Sequence, residues 1–209
     1  MNGSREGFRV NKILTNPSLP PHDLTHPSPR RDLLNTQPMQ LQGPNFILRN
    51  WQLTDAPSLQ RNADNKKISD NLLDRFPSPY TLAAAEGWVQ MWLGQEPMVN
   101  FAIVQGDEVI GGIGLELRQD VYRKTPLLGY WLAEQYWGKG IMPQAVKLIV
   151  QHAFDNLGAM AVVAYALSKN PASMRVLEKA GFKACGIIPK SVVKNNEVWD
   201  EHIFAVHKD

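Results

Sequence analysis

Leu127-Leu128-Gly129-Tyr130-Trp131-Leu132 leads through Ala133-Glu134 into Gln135-Tyr136-Trp137-Gly138-Lys139-Gly140, and then into Ile141-Met142-Pro143. The first six residues are apolar or aromatic and of strand length. Beyond Ile141, the side chains Val146, Ile149, Val150, Ala153 and Leu157 recur at three- and four-residue intervals. Gln144, Lys147, Gln151 and Asp155 fall on the opposite side, so this segment reads as an amphipathic helix. Pro143 suits its first turn and Gly158 its C-terminal stop. Between strand and helix lie two glycines that let successive backbone N–H groups converge on one centre. Those donors and the positive end of the helix dipole form an anion site, to which Lys139 adds a charge. The six residues taken alone also fit an ordinary glycine turn.

Working outward from this unit, Ala161–Leu167 is a second apolar strand. Asn170-Pro171 opens a shorter helix that ends at Gly181, and strands at about 182–188 and 197–206 close the chain. Upstream, Phe101-Ala102-Ile103-Val104 and Val109-Ile110-Gly111-Gly112-Ile113-Gly114-Leu115 flank Gly106-Asp107, a hairpin signature. Thr81 is placed to cap a helix over Leu82–Leu93. Residues 56–75 are polar, with Leu59, Ile68, Leu72 and Leu73 at roughly helical intervals, and Phe46–Trp51 reads as the first strand of the domain. The order predicts an α/β (α+β) domain around a mixed sheet flanked by helices.

The 209 residues suit one domain plus a tail. Residues 1–44 hold nearly half of the 15 prolines and read as a flexible arm, leaving 45–209 as the domain. His22 and His26 on this arm are a weak metal motif, and no metal is expected. Met39 is a possible alternative start. With 22 Lys+Arg against 20 Asp+Glu, the charge gives no push toward nucleic acid or an anionic membrane. No apolar run reaches the roughly 18 residues that span a bilayer. A lone cysteine, Cys185, has no internal partner, which points to a reducing cytoplasm. Its apolar setting, Ala184-Cys185-Gly186-Ile187-Ile188, predicts a packing role.

Gly129-Tyr130-Trp131-Leu132, the glycine loop, Asn170-Pro171-Ala172-Ser173 and Glu178-Lys179-Ala180-Gly181-Phe182 occur in one order. Together with Pro79-Tyr80-Thr81 they resemble the GNAT superfamily of N-acetyltransferases over roughly residues 45–207. More narrowly, they resemble its branch of ribosomal-protein N-terminal acetyltransferases. The resemblance implies a mostly antiparallel sheet splayed between its fourth and fifth strands, here Leu127–Leu132 and Ala161–Leu167. It implies acetyl-CoA as cosubstrate, with pyrophosphate at Gln135, Tyr136, Trp137, Gly138, Lys139 and Gly140 and the pantetheine arm in the splay. Backbone donors around Trp131 and Leu132 are implied for the carbonyl oxygen, and Asn170 for the arm or its thiol. The reaction implied is direct attack by a primary amine, and no Gly-x-Ser-x-Gly elbow is present. The expected oligomeric state is a monomer or homodimer.

Attack on a thioester builds negative charge on the carbonyl oxygen and expels a thiolate, so an oxyanion donor and an acid near sulfur both assist. Ser173 is the candidate donor to the departing sulfur, and a small residue near a helix start is its structural alternative. Relatives often carry a Glu just before Gly-Tyr-Trp, where this chain has Pro126-Leu127-Leu128. Glu116 is the substitute candidate for the general base, and Gln144 replaces another usual carboxylate. Asp70, Asp74, Tyr80 and Trp88 are candidates for the acceptor pocket. The expected acceptor is an α-amine of a protein N-terminus or an amino-acid-like small molecule. The alternatives are a polyamine or antibiotic acetyltransferase, or a non-catalytic acyl-CoA-binding regulatory module.

Overall fold

The computed structural model describes residues 39–208. Eight strands form a single sheet in the order β1-β2-β3-β4-β5-β6-β8-β7. They are β1 (Gln40–Gln42), β2 (Ile47–Arg49), β3 (Asn100–Gln105), β4 (Glu108–Glu116), β5 (Leu127–Leu132), β6 (Ala161–Leu167), β7 (Lys183–Lys194) and β8 (Glu197–His207). Every neighbouring pair is antiparallel except β5 with β6. This is the mixed, mostly antiparallel sheet with flanking helices expected from the sequence, and the expected fourth and fifth strands are β5 and β6.

β1 accounts for that shift of one. It lies inside the proline-rich stretch read as tail, yet Gln40, Leu41 and Gln42 pair with Arg49, Leu48 and Ile47. A turn closed by the Gly43 N–H donating to the Phe46 carbonyl (2.9 Å) joins the two strands. Leu41 packs on the same core as Leu48 and Phe46, which outweighs the poor strand composition around it. Met39 stands just before this strand, and His22 and His26 lie outside the described residues.

Helices cover both faces of the sheet. On one face, α4 (Ile141–Asn156) and α5 (Pro171–Lys179) bury Ile141, Ala145, Val146, Ile149 and Leu177 against Phe101, Ile103, Ile113 and Phe204. On the other, α1 (Ala56–Ala63) and α3 (Leu82–Trp92) bury Leu59, Ala85 and Val89 against Trp51, Ala102, Val104 and Val109. The Thr81 hydroxyl accepts the Ala84 N–H (3.2 Å), as an N-cap should. The helical pattern over 56–75 is interrupted. After α1 comes only a single turn, α2 (Lys66–Ser69), because two side chains turn the chain aside. Asn65 caps α2 by accepting the Lys67 N–H (2.9 Å), and Asp64 accepts the Tyr80 N–H (2.9 Å). Residues 70–80 are turns, and Leu73 is exposed.

β7 departs most from its sequence reading. It is longer than expected, and β7 and β8 are joined by a turn in which Asn195 (φ 52°) and Asn196 (φ 61°) are both left-handed. Paired asparagines at such a two-residue turn are a hairpin signal. Lys183–Ser191 is exposed throughout, and β7 is the outermost strand of the sheet. Cys185, expected to pack, is exposed and carries no disulfide. Among the described residues no helix is long and apolar enough to cross a membrane, and no His/Cys/Asp/Glu group is arranged to hold a metal ion.

Candidate active site

β5 and β6 share only two pairs, Leu127↔Val163 and Leu128↔Ala164. From Gly129 onward β5 has β4 on one side and no strand on the other, so the sheet opens into a V. Strand alternation decides which backbone groups face the opening. The Ala133 N–H donates to Ile110 of β4 (2.8 Å), and the Val163 N–H donates to the Pro126 carbonyl (3.1 Å). Odd-numbered β5 residues therefore address β4, and even-numbered ones address the β6 side. Tyr130 and Leu132 present backbone groups to the gap. Trp131 does not, which corrects the expectation that its N–H serves the cleft. Its indole lies on the other face, packed at 6.0 Å between ring centroids on Phe76.

The glycine loop follows β5 directly. Gly138 (φ 74°) and Gly140 (φ 76°) adopt left-handed backbone, and Gly140 is the N-cap of α4. Unlike Thr81 and Asn170 at α3 and α5, it supplies no side-chain cap. The first-turn donors of a 16-residue helix are thus left to another acceptor, with Pro143 contributing none. A phosphate suits this arrangement. Lys139 extends over the Tyr136 ring, 5.2 Å from its centroid, and is exposed.

Side chains on either side fasten the loop, three of them at positions expected to meet cofactor. The Trp137 indole N–H donates to the Leu132 carbonyl (2.7 Å), folding the loop back on the strand end. Gln135 Nε2 donates to Asn62 Oδ1 (2.7 Å), so its side chain anchors the loop to α1 and leaves only its backbone for a ligand. Asn62, buried, donates in turn to Glu108 (3.0 Å) and to the Val109 carbonyl (2.8 Å). The Tyr136 hydroxyl donates to Glu108 (3.2 Å). Hydrogen bonds from Arg61 and Asn62 hold the Glu108 carboxyl below its ordinary value. Burial, then the Glu108 charge, pushes the Tyr136 phenol up. Lys67 and Asn65 both donate to Glu134. Asn62 and Glu108 were missed in the sequence, because nothing local marks two residues 46 apart as partners.

Across the gap, the N-terminus of α5 brings Asn170 and Ser173 together. Asn170 Oδ1 accepts the Ser173 N–H (3.1 Å), the expected N-cap. The Tyr130 hydroxyl reaches over from β5 to lie 2.9 Å from Ser173 Oγ and 3.3 Å from the Ser173 carbonyl. Burial pushes this phenol up to about 12. Tyr130 is a further residue missed, although alternation against Trp131 places it on the α5 face. Glu116 is not part of this group. It pairs in register with Leu127, three residues and about 10 Å of strand from Tyr130. Its carboxylate is exposed and accepts from Arg75 (3.1 Å).

The sequence of residues 45–183 matches the acetyltransferase (GNAT) domain family. The chain belongs to the GNAT family. It is an acetyl-CoA-dependent acyltransferase. It is 33% identical over 169 residues to the Bacillus subtilis protein named "Probable N-acetyltransferase YjcK", covering 78% of this chain and 93% of the other. A shorter match, 30% over 105 residues, links it to the Escherichia coli ribosomal-protein-serine acetyltransferase, covering 50% of this chain and 58% of that one. In fold it is similar to a ribosomal L7/L12 α-N-protein acetyltransferase solved with coenzyme A (TM-score 0.71, 21% identity, 81% and 98% of the two chains). A GNAT-family acetyltransferase of Bacillus anthracis gives TM-score 0.70 at 19% identity, covering 81% and 98%.

Proposed function

We propose that this GNAT enzyme acetylates α-amines, those of protein N-termini or amino-acid-like molecules, in preference to lysine side chains and polyamines. The observation that carries this reading is that each acidic candidate for the base or the acceptor pocket is engaged by a cation. Glu116 accepts from Arg75, Asp74 from Lys194 (2.7 Å), and Asp70 from Lys66 (2.6 Å) and Asn195 (3.1 Å). A polycation pocket calls for uncommitted acidic groups, and an efficient base for a lysine calls for a carboxylate beside the thioester. Leu127 occupies the position where a base is usual. The remaining acceptor candidates also fit an apolar wall: Tyr80 is buried against Phe76, and Trp88 stacks edge-on against Trp51.

Only a neutral amine attacks. At pH 7.4 roughly one lysine in a thousand is neutral, against roughly a fifth of peptide α-amines. That difference, on the order of a hundredfold, is comparable to what a positioned base supplies. An α-amine is the acceptor named for the ribosomal L7/L12 α-N-protein acetyltransferase that is similar in fold, which supports this reading. Gln135, Tyr136, Trp137, Gly138, Lys139 and Gly140 are read as the pyrophosphate site, Leu132 and Tyr130 as backbone donors to the arm, and Asn170 and Ser173 as the groups around the thiol. An exposed Cys185 thiol suits a reducing cytoplasm.

Turnover at pH 7.4 is measured for a peptide with a free N-terminus, its N-blocked lysine-containing counterpart, and spermidine. The free N-terminus is expected to be fastest, with a rate that keeps rising toward the pKa of the amine. Faster acetylation of the blocked peptide or of spermidine overturns the assignment.

A further inference from the structure

The β5–β6 gap closes where Leu128 meets Ala164, so a chain entering from the glycine loop along the edge of β5 passes Leu132 and ends beside Tyr130. At that vertex two hydroxyls from different elements meet. Tyr130 has one hydroxyl proton, and both oxygens within its reach, Oγ and the backbone carbonyl, belong to Ser173. The Ser173 backbone N–H is already held by Asn170, so the first turn of α5 is fixed while the Ser173 hydroxyl proton remains free to turn.

We propose that Tyr130 is a positioning residue that donates its hydroxyl proton to Ser173 Oγ, thereby directing the Ser173 proton at the sulfur of the departing coenzyme A. The inference rests on the acetyl-transfer reading of the gap and concerns the leaving group alone, whichever amine attacks. The nitrogen lone pair forms the C–N bond, and the C–S bond breaks with its electron pair on sulfur. The proton shed by nitrogen passes to water, and the thiolate takes one from water. Ser173 and Tyr130 keep their own protons throughout. This follows from their acidities: a phenol at about 12 does not protonate a thiolate whose conjugate acid lies near 8.5. The pair supplies hydrogen bonding to the thiolate rather than acid catalysis.

The test needs no acceptor. The thiol pKa of bound coenzyme A is read from thiolate ultraviolet absorbance during pH titration, with desulfo-coenzyme A binding as the control for a merely structural change. A hydrogen bond to a charged group favours the thiolate by about tenfold or more. In both Ser173→Ala and Tyr130→Phe the bound thiol is expected to titrate about one pH unit or more higher than in the wild type. Desulfo-coenzyme A affinity is expected to change less than about twofold. The double variant should match Ser173→Ala alone, because the tyrosine acts only through the serine, and Ser173→Thr should retain the wild-type titration. A Tyr130→Phe titration identical to wild type, or a tyrosine effect that persists without Ser173, overturns the pair while leaving Ser173 in place. An unchanged titration in Ser173→Ala overturns both. An acceptor other than an α-amine leaves this readout unaffected, so the two proposals fail separately.

Discussion

Gly138 and Gly140 occupy left-handed backbone, but a Cβ added at either meets nothing within 4 Å. Substitution there acts through the backbone rather than through a clash. A β-branched side chain disfavours that conformation by about 1–2 kcal/mol. Gly138→Val and Gly140→Val are each expected to reduce or abolish the melting-temperature shift given by acetyl-CoA, while the free protein stays folded and melts a few degrees lower. A ligand at a hundred times its dissociation constant contributes about 2.7 kcal/mol, so the loss is readily measured. Full retention of the shift in both variants contradicts the phosphate-loop assignment. Glu108 bears on the same loop through Tyr136 and Asn62. Its folded pKa is depressed, chiefly by the hydrogen bond from Arg61, so its stabilising effect is complete above the ordinary glutamate value of about 4.3 and is lost as pH falls through the lower folded value. Coenzyme A affinity and stability are expected to drop over that acid range less steeply in Glu108→Gln than in the wild type, and parallel profiles would exclude the role.

At the scale of elements, the short strand β1 is the piece the composition hid. Extending an N-terminal deletion from residue 38 to residue 44 removes β1 and the turn at Gly43 together. Leu48 and Phe46, almost wholly buried, then lose their cover at the sheet edge. The longer deletion is expected to melt several degrees below the shorter one, since each kcal/mol moves the midpoint of a chain this size by about 2–4 °C. Equal midpoints would show that β1 contributes no stability. Other elements were legible because their signals are local. Thr81 and Asn170 announce helix starts by their own side-chain chemistry, and the spacing of Val146, Ile149 and Ala153 requires a buried helix face. The break after Ala63 was not legible, since the Asp64–Tyr80 bond that turns the chain joins residues 16 apart.

For the whole molecule, the decisive feature is a parallel pair that forms for two residues and then stops. Its consequence is measurable by amide hydrogen exchange. The Tyr130 and Leu132 amides, facing the gap, are expected to exchange quickly in the free protein and slowly with coenzyme A bound. The Trp131 amide, paired to β4, should be slow in both states. Protection of all three in the free protein would mean that the sheet does not splay.

The sequence by itself determined the fold class, the strand–glycine–helix unit and the family, because each is written in neighbouring residues: alternation, helical spacing, caps and left-handed glycines. Only the tertiary structure decided which of those residues meet. It turned Trp131 away from the gap and Tyr130 into contact with Ser173, tied Gln135 to Asn62, placed Glu116 against Arg75, and left Cys185 in the open on an edge strand. The physical reason is that register, strand order and the length of the β5–β6 pairing depend on how two cores pack on opposite faces of one sheet. Those energies belong to residues far apart in the chain, and no local pattern records them.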